Sequence, residues 1–217
     1  DYVKNAAENV LKTAKEKHNI EITGRVKTPM HSDYYPELDQ SDELDAEGIT
    51  FFQEVIGILR WAIELGRVDI HLEVALMSTY SASPRRRHLQ EVIRIIFYLS
   101  RHPILTLYFD PDRARVDEGI FSSNSTPEQF KDIYRDAEEA KPPRQPEPLG
   151  NPIKILAYVD ASHALNKVNM RSQTGFVIFI NRSPIIWYSK RQNTVEASTF
   201  GSEFIAMRIC KEYIVAL

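Results

Sequence analysis

A single cysteine, Cys210, stands among the 217 residues. An internal disulfide and a cysteine-based metal cluster are thereby excluded, which fits a reducing, intracellular setting. Cys210 itself reads as a buried helix residue. Long apolar runs are also lacking: Val92–Leu99 and Ile178–Ile180 fall far short of the ~20 residues a membrane span needs. The opening Asp1-Tyr2-Val3 is no signal sequence, so no signal in the chain inserts or exports it. Charge of one sign is not in excess either. A net charge of −3 gives no global attraction to phosphate, and any nucleic-acid contact must come from local clusters. With 8 glycines and 43% hydrophobic residues, the composition is neither collagenous nor disordered, and it suffices for one large or two modest cores. No internal repeat is present. The chain starts without methionine and stops inside a helical pattern, so both ends read as cuts in a longer polypeptide.

What is there divides into four stretches. The first, Asp1 to Glu47, is polar, with an amphipathic helix candidate over Val3–Lys17 and then an acidic stretch, Asp33–Asp39 and Ser41–Glu47, whose turn formers and like charges disfavour regular structure. From Thr50 to Phe109 the pattern is helical. Phe51, Val55, Ile58, Leu59, Ala62 and Ile63 share one face, opened by Thr50 and closed near Gly66. A second helix is expected from about Val68 to Ala82, and a third from Pro84 to His102-Pro103. These three can bury one another, with Trp61 in their core. The alternation of Leu105, Leu107 and Phe109 predicts a short strand. Asp110 to Pro152 is proline-rich and extended, with one short helix at the capping box Thr126-Pro127-Glu128-Gln129. From Ile153 the period changes to two. Three antiparallel strands follow, with a turn at Asn181-Arg182 between the second and third, and then a helix from Ser198 to Leu217 capped by Ser198 or Thr199. The class is α+β.

Two acids carry the candidate chemistry. Asp160 ends the first strand, and Glu203 lies about one turn into the helix that follows the third. Two carboxylates side by side repel unless a cation sits between them. Magnesium suits such oxygen ligands, and paired magnesium ions roughly 3.5–4 Å apart serve phosphodiester hydrolysis. Spacing alone also fits ordinary surface acids, since the helix dipole favours a glutamate near an N-terminus.

At these residues the chain resembles the Pol polyproteins of copia-type LTR retrotransposons. Tyr158–Ala164 is similar to the family's first ribonuclease H strand, Arg171–Phe179 to its second, Pro184–Gln192 to its third, and Ser198–Ala206 to the helix presenting the second acid. Upstream, Phe51–Trp61, Gly66–Ile70 and the helix through His88 and Leu99 look like the segment after the polymerase palm.

The resemblance implies a helical reverse transcriptase thumb and connection over 1–109, a connector over 110–152, and the N-terminal part of a ribonuclease H-like domain over 153–217. It implies an enzyme that copies RNA into DNA, an RNA-directed DNA polymerase, and hydrolyses the RNA strand of the hybrid. The polymerase's paired aspartates would precede Asp1. Of four ribonuclease H acids only Asp160 and Glu203 map here, as catalytic residues and magnesium ligands. By itself the chain is therefore expected to hold magnesium weakly and to show little or no nuclease activity. The strand that pairs with the first one in the family lies past Leu217, so Ile153–Val159 is expected to be an exposed edge. Implied partners are an RNA–DNA hybrid or template–primer and the rest of the Pol polyprotein, in a cytoplasmic particle or the nucleus. The contrasting reading is a non-catalytic nucleic-acid-binding or assembly module, domesticated or decayed, that keeps the fold.

Two basic clusters are candidates for phosphate contact: Arg85-Arg86-Arg87-His88 at a helix start, and Lys190-Arg191-Gln192-Asn193 before the last helix. Each is equally readable as a solvated face. His163 reads as a surface loop residue near Asp160, and Trp187 and Tyr188 as packed strand residues. His71 and His88 have no metal-ligand spacing partners.

Overall fold

The computed structural model describes residues 2–113, 149–150 and 152–217. The helix expected at Thr126–Gln129 and most of the proline-rich stretch lie outside these residues. The described elements are α1 (Tyr2–His18), α2 (Ala46–Glu64), α3 (His71–Ser78), α4 (Arg86–Arg101), β1 (Ile155–Ser162), β2 (Gln173–Ile180), β3 (Ser183–Arg191) and α5 (Thr199–Val215). The expected α+β class is observed, with helices first and three antiparallel strands and a helix after them.

Helix α4 is the spine of the helical part. Leu89, Val92, Ile93, Ile95, Ile96 and Leu99 are buried on it, and α1, α2 and α3 all pack against it. Phe52, Val55 and Leu59 of α2 are fully inaccessible. Fully burying a large apolar side chain stabilises by roughly 1.5–3 kcal/mol, so these residues form the principal core. Helix α1 contributes Ala7, Val10 and Ala14, which makes the bundle one of four helices where three were expected.

Several boundaries differ from expectation for identifiable reasons. Helix α2 starts at Ala46, because the Asp45 carboxylate accepts the Gly48 N–H at 2.8 Å and caps it. Thr50 lies inside the helix, its hydroxyl bonded to the Ala46 carbonyl. The segment after Gly66, a residue at φ 103°, makes a 3-10 turn at Val68–Ile70 before α3. Helix α4 starts at Arg86, with Arg85 extended before it. The acidic stretch is ordered: Pro36–Leu38 form a 3-10 turn, and Glu43 bridges Arg85.

Two expectations fail. Trp61 is 54% exposed, since the buried stripe of α2 runs through Leu59, Ala62 and Ile63 and leaves position 61 on the opposite side. Leu105, Leu107 and Phe109 form no strand. Alternation needs a pairing partner, and here Leu107 instead packs over Gly66, where an added Cβ would meet it at 3.1 Å.

The sheet has the order β1-β2-β3. Ile155 pairs with Ile180 and Asp160 with Gly175, while Gly175 pairs with Ser189. Asn181, at φ 55°, supplies the left-handed turn between β2 and β3. Its carbonyl-bearing side chain accepts from Lys154 N at 2.9 Å, which ties the turn to the start of β1. Helix α5 packs on β1 and β2 through Ser202, Ala206 and Cys210. Beneath it Phe176 stacks on Tyr188, and Tyr213 meets both edge-on. One outer edge of the sheet is β1, which has no second strand neighbour among the described residues.

The helical part and the sheet are in contact. Helix α3 packs against β3, Trp187 of β3 packs against the helical core, and the Glu37 carboxylate accepts Lys167 N–H at 2.7 Å. No helix among the described residues is long and apolar enough to cross a membrane.

Candidate functional site

Strand alternation turns Asp160 outward near the end of β1, where it is exposed beside the buried Ala161. Glu203 is half-buried just past the first turn of α5, immediately after the inaccessible Ser202. A chain of hydrogen bonds fixes that turn. Ser198 caps α5 by accepting Gly201 N–H at 3.1 Å. Ser202 Oγ shares a 2.8 Å hydrogen bond with His163 Nδ1 and a 2.9 Å one with Ser172 Oγ. Gln192 donates through Nε2 to the Ser202 carbonyl at 2.9 Å and to Thr174 Oγ1 at 3.0 Å. Its backbone N–H donates to the Ser172 carbonyl at 2.8 Å.

Four segments therefore meet at Ser202: the end of β1 through His163, the approach to β2 through Ser172, the exit from β3 through Gln192, and α5. A buried polar group without a partner costs about 1–3 kcal/mol, so each hydroxyl holds its neighbours in place. The link from the segment after Asp160 to the residue before Glu203 is a single side-chain bond. His163, expected as a surface residue, is half-buried and bonded. Small polar residues give no sequence signal of such a junction: Ser172 and Ser202 carry none, and Gln192 stands out only as a neighbour of Lys190 and Arg191. Buried Cys210 lies further along the same face of α5, its thiol pushed up by burial.

The two basic clusters have different fates. Arg85 turns inward, donating to the Ser41 carbonyl and pairing with Glu43. Arg87 lies over the Tyr34 ring, 4.8 Å from its centroid, and His88 is buried. Arg86 remains exposed. Lys190 and Arg191, by contrast, line an open cleft between β3 and the helices α2 and α3. Trp187 and Tyr188 pack as expected.

Comparison with known proteins bears on the class. The chain is 25% identical over 155 residues, 71% of its length, to a retrovirus-related Pol polyprotein from transposon RE1 of Arabidopsis thaliana. It is 24% identical over 179 residues, 82% of its length, to that from transposon RE2 of the same plant. A putative transposon Ty5-1 protein of Saccharomyces cerevisiae is 23% identical over 158 residues, 72% of this chain. The chain spans 8% and 10% of the two plant polyproteins and 39% of the yeast protein. No protein-family model matches it, and no solved structure does.

By sequence the chain is similar to segments of retrotransposon polyproteins. The resemblance to copia-type Pol read from the blocks around Asp160 and Glu203 holds across most of the chain.

Proposed function

We propose that the chain is the stretch of a retrotransposon Pol polyprotein that joins reverse transcriptase thumb and connection (1–109), through a connector (110–152), to a ribonuclease H-like region (153–217). Its substrate is an RNA–DNA hybrid. The observation that most supports this is the His163–Ser202 hydrogen bond, which ties the strand end of Asp160 to the helix turn of Glu203.

Asp160 and Glu203 are the residues that would hold magnesium. The chemistry of the donors fits, because both are carboxylates, one exposed and one half-buried, and hard oxygen donors are what magnesium takes. The Nδ1 of His163 is engaged by Ser202 and offers no competing ligand. When bound, such an ion activates water and stabilises the leaving oxygen of a phosphodiester. The residues of this chain hold the two carboxylates on a shared frame and keep that frame dry: Ser202, Thr174 and Ala206 behind them are inaccessible. Among the described residues no group of three or more histidines, cysteines or acids is placed to hold a metal ion, so the proposed site rests on two carboxylates and weak affinity is expected.

Manganese, a paramagnetic substitute for magnesium, tests this directly. Titrated into the chain, it should broaden NMR signals around Asp160, His163 and Glu203, and both Asp160→Asn and Glu203→Gln should remove the effect. Broadening centred elsewhere, or unchanged in both variants, would sink the assignment.

A further inference from the structure

We propose that the cleft between β3 and the helices α2 and α3 binds the phosphodiester backbone of one nucleic-acid strand, through Arg60 from the helical part together with Lys190 and Arg191 from the sheet. The inference rests on the reading of the chain as a nucleic-acid-handling segment and deepens it by naming where the strand lies.

The cleft has a volume of about 650 Å³ and is lined by Arg60, His71, Trp187, Tyr188, Lys190 and Arg191 among others. Glu64 is the one carboxylate in its wall. Arg60, Lys190 and Arg191 make no ion pair among the described residues, as Arg86 and Arg171 make none, but these three share the wall of one cleft. Three like charges around one concave space repel, and an anion placed between them relieves that repulsion. His71 adds a ring without adding charge: burial pulls it below its ordinary value, with the Arg60 guanidinium pulling the same way against Glu64.

A strand is a better fit than a small ligand. The cations come from two separate elements and face an open cleft rather than a closed chamber, so they match phosphates spaced along a backbone. Base recognition is subordinate. Tyr188 is already stacked on Phe176 and Tyr213 packs edge-on against both, while Trp187 leans on the helical core. Few aromatic faces are left for bases, so contact through phosphates without sequence preference is expected. The other basic cluster does not compete well, since Arg85 and Arg87 are engaged within the protein.

The sequence marks only the Lys190–Arg191 part of this site. Lys190 and Arg191 are adjacent in sequence, but Arg60 lies far from them and belongs to a helix whose exposed face carries no basic run. Only the packing of α3 against β3 brings the three to one cleft.

Fluorescence anisotropy of a homopolymeric single-stranded oligonucleotide, measured across a salt series, tests the proposal on the intact chain. Three phosphate contacts on a single strand give a log–log salt slope of about −2. Arg60→Ala should weaken binding several-fold and reduce the steepness of the slope by about 0.7. Lys190→Ala with Arg191→Ala should do so further, and Arg86→Ala should leave affinity unchanged. Melting temperatures of the variants check that folding is preserved, and Arg60 and Lys190 are exposed. Unaltered affinity and slope in Arg60→Ala, loss only in Arg86→Ala, or no binding by the parent chain would each overturn the cleft. If the cleft variants lose binding while manganese fails to locate at Asp160 and Glu203, the metal-site reading falls and the cleft stands. The reverse pattern removes the cleft alone.

Discussion

The backbone N–H of Arg85 donates to Nδ1 of His88 at 2.9 Å, closing the first turn of α4 on an imidazole. An Nδ1 that accepts carries no proton, so the ring proton sits on Nε2, which lies 2.9 Å from the Pro36 carbonyl. One neutral ring thereby joins the start of the core helix to the turn at Pro36–Leu38. Burial holds His88 below its ordinary value, and the Pro36 carbonyl and Asp39 offset this only in part.

The sign of the resulting pH dependence is fixed. A depressed folded pKa means that the unfolded chain takes up the proton first, so stability is complete above the unfolded value of about 6.5 and is lost as pH falls below it. His71 is depressed too, again chiefly by burial, and acts in the same window. Urea midpoints should fall between pH 7.5 and 5, and His88→Gln should flatten the profile. An unchanged profile in that variant would show that His88 is not the group responsible.

Glu91 is 3% exposed on α4, and its carboxylate accepts His31 N–H at 3.2 Å and meets His31 Nδ1 at 2.7 Å. It pins the loop after α1 to the core helix. Glu91→Ala leaves the loop amide without its charged acceptor and should cost about 2–3 kcal/mol. A loss under about 0.5 kcal/mol in denaturant unfolding would mean that the loop finds another anchor.

The two tryptophans should behave oppositely. Trp61 is exposed, so Trp61→Ala should change stability by no more than about 0.5 kcal/mol, whereas the inaccessible Phe52 should cost about 3–5 kcal/mol when cut to alanine. Acrylamide, a neutral quencher, should quench Trp61 fluorescence more readily than that of the half-buried Trp187. Equal quenching would contradict the packing described for Trp187.

Ser202→Ala removes the hydroxyl that joins His163 to Ser172. The expected loss is about 1–2 kcal/mol, with manganese affinity at Asp160 and Glu203 reduced by more than the stability change alone explains. Full retention of metal binding would reduce Ser202 to a packing residue.

Periodicity made much of this structure legible. The stripe through Phe51, Val55, Leu59 and Ile63 and the alternation in Phe176 and Ile178 are local patterns, and local patterns determine element type. Trp61 departs from its expected burial because its angle around α2 falls outside the stripe of Leu59, Ala62 and Ile63. The strand at Leu105–Phe109 was misread because pairing is a property of two segments, and one alone cannot specify it. Asp160 and Glu203 stand out through their sequence blocks, and Glu91 as a lone acid inside the apolar run of α4. The Ser202 junction and Arg60 had no such signal. Their partners are distant in sequence, and only tertiary packing selects them.

Trp187 belongs to a strand, yet its ring rests against the helical core. That contact, with the packing of α3 on β3, couples the two parts, so they should melt in one cooperative transition. A chain severed by an engineered cut between Asp112 and Leu149 should then persist as a nicked, associated complex, its two pieces parting only when the fold itself is lost.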